Sequence, residues 1–249
     1  MGALHEGHLS LVREAGQRAD RVVASVFVNP TQFAAHEDLG AYPRQEGQDA
    51  ELLAGAGCAL LYAPAVEEMY PTGATTTISV GGPAKGLEGA FRPQMFGGVA
   101  LVVCKLFNQV QPDVAVFGEK DWQQLMVVKR MVRDLDLPVQ VVGLPTARDG
   151  HGLALSSRNA YLSETELAVA RRLNGVLAEA GVRAGQGTVA EAEVWAAEAL
   201  TTAGFDSVDY VAIRRADDLS AFEGPVDAPA RILAAARIGR TRLIDNMAI

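Results

Sequence analysis

RVVASVFVNPTQF, residues 21–33, reads as a strand and its exit. Residues 21–28 are apolar on both faces and rich in β-branched side chains, as in a strand covered on both sides within a parallel sheet. Polar groups follow it at Asn29, Thr31 and Gln32. Three further runs share the form: CALLYAP (58–64), DVAVFGEKD (113–121) and VQVVGLP (139–145). Helical patterns over about 8–19, 46–56, 97–110 and 121–135 separate them, and Pro112 ends the third. Strand–helix–strand order predicts right-handed crossovers and a doubly wound parallel sheet with helices on both faces. Ligands bind such sheets outside the carboxyl ends of the strands. The residues that follow each strand are therefore the ones to read for function.

After residue 145 the texture changes. LSETELAVARRLNGVLAEA (162–180) and VAEAEVWAAEALTTAG (189–204) read as amphipathic helices with Ser163 and Thr188 as N-caps. VDYVAIR (208–214), ARILAAARI (230–238) and TRLIDNMAI (241–249) read as strands of a small antiparallel sheet. The irregular stretch 144–152 predicts two domains, 1–146 and 147–249. The chain has 249 residues, 49% hydrophobic and 21% charged, the usage of a globular protein with a substantial core. A net charge of −8 argues against nucleic acid or an anionic membrane as the main partner, while leaving room for a small anion in a locally basic pocket. Cys58 and Cys104 lie in apolar runs, no apolar stretch reaches about 18 residues, and no leader pattern is seen. These features predict a cytoplasmic protein with reduced thiols.

Each polar stretch has a chemical and a plainer reading. Asn29 and Gln32 either contact a small polar ligand or cap and solvate a turn. In Gly118-Glu119-Lys120-Asp121, Lys120 counters a phosphate that Gly118 lets the backbone approach, or Asp121 simply caps the next helix. Ser156, Ser157 and Arg158 offer two hydroxyls and a guanidinium suited to phosphate oxygens, or form an ordinary turn. The opening MGALHEGH (1–8) places His5 and His8 around Gly7 at the start of a helix, where imidazole and backbone N–H groups together can grip phosphates. It is not the helical zinc pattern, and no Cys, His or Asp cluster accompanies it, so no metal site is expected.

Together, MGALHEGH, VFVNPTQF, YPR, FGEKDWQQL and DGHGLALSSRNAYLS, in that order and with RLIDN near the end, closely resemble the pantothenate synthetase (pantoate–β-alanine ligase) family. The family belongs to the H-x-G-H nucleotidyltransferases. The resemblance covers the whole chain and implies a Rossmann-like domain followed by a smaller α+β domain acting as a mobile lid. It implies that pantoate attacks the α-phosphate of ATP, and that β-alanine then attacks the pantoyl adenylate, releasing AMP. By the same resemblance Met1, Gly2, Ala3, Leu4, His5, Glu6, Gly7 and His8 form the nucleotide loop, with His5 and His8 on the phosphates. Gly118, Glu119, Lys120, Asp121, Ala147, Leu155, Ser156, Ser157 and Arg158 complete the ATP set. Lys120 and Arg158 neutralise charge, Asp121 faces the ribose, and the Ala147 backbone meets the adenine. Gln32 and Gln124 contact pantoate, and Gln32 also β-alanine. Mg2+ rides on ATP, and the enzyme is a homodimer.

Two departures from the family pattern stand out. RPQMF (92–96) replaces Arg-Pro-Gly-His-Phe, so Gln94 stands for a glycine and Met95 for a histidine. If the backbone at 94 required positive φ, Gln94 would bring about 1 kcal/mol or more of strain. The family also has a strand and a Pro-Thr pair ahead of the H-x-G-H motif. Their lack predicts that Met1 is an internal methionine, with roughly two dozen residues belonging upstream. Two alternatives remain at this level: another H-x-G-H adenylyl transferase, or a non-catalytic or impaired relative.

Overall fold

The structure is a computed structural model and describes residues 3–32 and 45–249. Met1, Gly2, Phe33 and the Tyr-Pro-Arg stretch at 42–44 lie outside the described residues. Contacts divide the chain into two units, Met1–Glu119 with Gln123–Pro145, and Lys120–Trp122 with Thr146–Ile249.

In the first unit the order is α1 (Glu6–Arg18), β1 (Val23–Ser25), α2 (Glu46–Gly55), β2 (Leu60–Tyr62), the single turns α3 (Val66–Met69) and α4 (Glu88–Phe91), α5 (Met95–Val110), β3 (Val114–Gly118), α6 (Trp122–Asp134) and β4 (Gln140–Leu144). The mixed α/β class and parallel pairing are as expected. β1 pairs with β2, Val23 opposite Leu60, and β3 with β4, Val114 opposite Gln140. Among the described residues these are two separate pairs rather than one continuous sheet. β1 is also shorter than the apolar run around it. The Val26 N–H still donates to the Tyr62 carbonyl at 3.0 Å, but beyond it the chain turns at Asn29 and leaves the ladder.

α5 shows why these segments are helical. Phe96, Val99, Ala100 and Val103 recur at three- and four-residue spacing and are buried, the last three packing with Val128 and Met131 of α6. The helix ends at Val110, where Gln111 is left-handed ahead of Pro112. Gln94 is the residue before α5 and has φ −91°, so the expected strain at 94 does not arise. Met95 is packed among the apolar side chains of this core, against the cluster around Met69 and Val99. Cys58 and Cys104 are free thiols at the margins of the cores.

The second unit contains α7 (Glu164–Ala170), α8 (Arg172–Gln186), α9 (Val189–Ala203) and the antiparallel strands β5 (Ser207–Arg215), β6 (Ala230–Ile238) and β7 (Thr241–Ala248). Ser163 caps α7 and Thr188 caps α9, each in a reciprocal pair with a glutamate three residues on. β6 is central and buried along nearly its whole length. Its Ala234 and Ala236 leave room for the leucines of α8 and α9, Leu173, Leu177 and Leu200, against Ile213 and Ile232. No helix among the described residues is long and apolar enough to cross a membrane.

One glycine is required by close approach. A Cβ on Gly98 of α5 would stand 2.5 Å from Thr31 Oγ1 and 2.6 Å from the Thr31 carbonyl oxygen. Alanine in a helix interior normally stabilises by about 1 kcal/mol relative to glycine. Here the clash is with backbone, and overpacking of that kind costs roughly 1–3 kcal/mol. Gly98→Ala is therefore expected to lower the urea midpoint. A raised midpoint would show that the turn at Thr31 yields freely.

Candidate active site

The histidine loop is shaped by its own backbone. His5 is the N-cap of α1; its Nδ1 accepts the Gly7 N–H at 3.1 Å, and His8 Nδ1 accepts the His5 N–H at 3.3 Å. Each neutral imidazole therefore carries its proton on Nε2. The rings lie 4.1 Å apart, centroid to centroid, at the positive end of the helix dipole. The two imidazoles at this positive end suit an anion, while the Gly7 and His8 amides are already bonded to His5.

Asp49 braces the approach to this loop. It lies in the first turn of α2, is 1% exposed, and accepts the Ala3 N–H at 3.0 Å on one oxygen and the Leu4 N–H at 2.8 Å on the other. Ala3 has φ 56°, a left-handed conformation that costs a side-chain-bearing residue about 1–2 kcal/mol. The two charge-assisted bonds offset that strain.

At the end of β1, Asn29 is 2% exposed and wholly engaged in shaping the turn. Its Nδ2 donates to the Gly98 carbonyl, and its Oδ1 accepts from Thr31 and from the Tyr70 hydroxyl at 2.8 Å. The turn-forming reading of Asn29 is the one realised. Burial raises the Tyr70 pKa, while its bonds to Thr31 and Asn29 pull it down. Gln32 ends the 3-10 turn Pro30–Gln32, and its carbonyl accepts from Arg92 at 3.0 Å. Gln124 is half-buried in the first turn of α6. Its neighbour Gln123 is buried and ties the loop ahead of α4, accepting from the Glu88 N–H and donating to the Pro83 and Gly86 carbonyls. Gly118 closes β3 where a Cβ would meet no protein atom, and Glu119 lies over Gly143 of β4.

In the second unit, Lys120 and Asp121 belong to the 3-10 turn Glu119–Asp121 and are carried with Trp122. Ala147 and Leu155 close a hairpin, the Leu155 N–H donating to the Ala147 carbonyl at 2.8 Å. Asp149 shapes its tip. Burial raises that carboxyl's pKa, but the His151 and Leu153 amides and the Arg171 guanidinium outweigh burial and hold it below the usual range. Ser156 caps the turn Ser157–Tyr161, its Oγ accepting the Arg158 N–H at 3.3 Å. That turn leans on β7, as does the Lys120 carbonyl. Among the described residues no three His, Cys, Asp or Glu side chains come together as a metal-binding group.

Sequence reading missed Asp49, Gln123 and the polar residues of β6 and β7. For Asp49 the signal was available: it stands four residues before Leu53, on the buried face of α2. Replacing it tests the brace. Asp49→Ala leaves two amides without their acceptor, and bonds to a charged group are worth about 1.5–3 kcal/mol. Asp49→Asn keeps one acceptor and turns an NH2 toward the other amide, so it is expected to recover little. Equilibrium unfolding at neutral pH measures both; an Asn variant as stable as the parent would contradict the two-bond clamp.

The family model described as pantoate-beta-alanine ligase matches residues 1–248. A pantothenate synthetase of Caulobacter vibrioides is 61% identical over 252 residues, spanning 100% of this chain and 88% of that protein. One of Mesorhizobium japonicum is 57% identical over 248 residues, spanning 99% and 87%. The crystal structure of a pantothenate synthetase from Thermus thermophilus superposes with TM-score 0.93 at 52% identity, covering 99% of this chain and 90% of that one. A pantoate-beta-alanine ligase from Francisella tularensis, complexed with beta-gamma ATP and beta-alanine, gives TM-score 0.82 at 33% identity, with 99% and 86% covered. The chain belongs to the pantoate–β-alanine ligase family.

Proposed function

We propose that the side chains described above divide the work of an adenylating ligase. The chain condenses pantoate with β-alanine at the expense of ATP. A pantoate carboxylate oxygen attacks the α-phosphorus, the bond to the bridging oxygen breaks, and pyrophosphate leaves. The β-alanine amine then attacks the acyl carbon of the pantoyl adenylate and loses a proton, the acyl carbon–oxygen bond breaks, and AMP departs with that oxygen, which came from the pantoate carboxylate. In-line transfer of this kind gains most from positioning and charge neutralisation.

The observation that carries this reading is the pair of imidazoles at the start of α1, with both Nδ1 atoms committed to backbone amides. His5 and His8 donate through Nε2 to phosphate oxygens, with Ala3, Leu4, Glu6 and Gly7 forming the loop around them. Lys120 and Arg158, with the Ser156 and Ser157 hydroxyls, neutralise the charge that develops on the leaving pyrophosphate. Asp121 takes the ribose hydroxyls, the Ala147 backbone meets the adenine, and Leu155, Gly118 and Glu119 border the nucleotide. Gln32 and Gln124 hydrogen-bond pantoate, and Gln32 also β-alanine. ATP enters as its Mg2+ complex, which offsets phosphate charge. The enzyme acts as a homodimer in the cytoplasm. The two domains are 1–146 and 147–249.

Pyrophosphate release from MgATP and pantoate, followed with and without β-alanine, tests the sequence of steps. One equivalent per site is expected without the amine and continuous turnover with it. Release that needs β-alanine from the first turnover would contradict a separate adenylate. Lys120→Ala is expected to slow the first step by roughly 10²–10³-fold, the scale for losing one transition-state charge stabiliser. A loss within about twofold would remove Lys120 from the site.

A further inference from the structure

RLIDN, residues 242–246, has no part in the roles assigned so far, yet Asp245 and Asn246 are both buried. They are consecutive in β7, so they point to opposite faces. Asp245 accepts both arms of Arg148, at 2.7 and 2.9 Å, and receives the Asn246 N–H; Arg148 also donates to the Asn246 carbonyl. The backbone of Asn246 is thus held by the pair of a buried Asp245 and a half-buried Arg148.

Its side chain does something else. The Asn246 Oδ1 accepts from Arg231 of β6 at 2.7 Å, and its Nδ2 donates to the Lys120 carbonyl at 2.8 Å. Arginine can only donate, so its bond to Oδ1 settles which end of the carboxamide faces Lys120. Arg231 is 8% exposed, and its guanidinium carbon lies 3.4 Å from the centre of the Trp122 ring. The turn Glu119–Asp121 is three residues long and joins β3 directly to α6. It is gripped at two points, the carbonyl of 120 and the ring of 122, by residues more than a hundred positions later in the chain.

We propose that Asn246, backed by Arg231 and Trp122, is a positioning residue for Lys120. The inference rests on the reading of Lys120 as a phosphate-neutralising group. A lysine ammonium on a flexible stem gives charge without direction, so the backbone beneath it decides where that charge falls. The C-terminal sheet therefore sets the aim of a residue that the sequence places after β3.

Asn246→Asp tests this with almost no change of shape. The carboxylate keeps Arg231 but sets an oxygen against the Lys120 carbonyl. Pyrophosphate release from MgATP and pantoate should fall roughly 10–100-fold, the scale of a displaced reacting group, with the KM for pantoate unchanged. On a Lys120→Ala background the same substitution should cause no further loss. Should Asn246→Asp fail to fold, Trp122→Ala makes the same measurement, and Trp122→Phe, which restores a ring face, should recover most of the loss. A full rate in Asn246→Asp, or an equal loss with and without Lys120, overturns the positioning role. A full rate in Lys120→Ala instead overturns the reading of the lysine, whatever Asn246 does.

Discussion

Where a chain leaves a strand, its amides and carbonyls lose their ladder partners and must find others. In this protein polar side chains, most of them buried, take them up, one for each candidate loop. Asp49 receives two amides ahead of the histidines. Asn29 closes the turn that carries Gln32, and Gln123 collects the loop before α4. Asp149 shapes the hairpin leading to Ser156, and Asn246 receives the Lys120 carbonyl as an acceptor for its own N–H. An unsatisfied buried group costs about 1–3 kcal/mol, so each of these loops has one arrangement that is clearly preferred.

That preference has a chemical use. Adenylate formation needs positive charge and N–H donors already in place when the phosphate charge shifts. In the histidine loop the tautomer of both rings follows from backbone bonds, and Gly7 and His5 supply the donors that set it. The side chains proposed to act on the substrates are supported by a second layer whose own geometry is held by hydrogen bonds, the arrangement that gives a site its precision. Glycine serves the same end at 98, where only the lack of a Cβ lets the Thr31 turn sit on α5.

Much of this was legible in the residues. Apolar periodicity marks α5 and α6, Ser163 and Thr188 announce their helices by the glutamates three positions on, and Pro112 marks the end of α5. The candidate stretches at Asn29–Gln32 and Gly118–Asp121 were picked out because they follow strands. The extent of β1 was not legible, since the apolar run to Val28 continues past the last ladder pair into a turn governed by Asn29. Nor were the supporting residues. Asp49 shows itself only by its spacing to Leu53, and Arg231 and Asn246 look like ordinary polar positions on two strands until their partners, distant in the chain, are known. The expectation of strain at Gln94 came from reading a glycine's conformational freedom into its place; the backbone there is helical, and any residue can adopt it.

The central claim is that these loops are formed by the protein itself, before substrate arrives. Amide hydrogen exchange of the ligand-free enzyme tests it directly, at the N–H groups of Ala3, Leu4, Thr31 and Glu88, each of which donates to a supporting side chain. The account predicts slow exchange at all four without ligand, changed little by MgATP. Exchange at the rates of an unstructured chain, slowing only once MgATP is added, would show that the nucleotide and not the buried side chains builds the site.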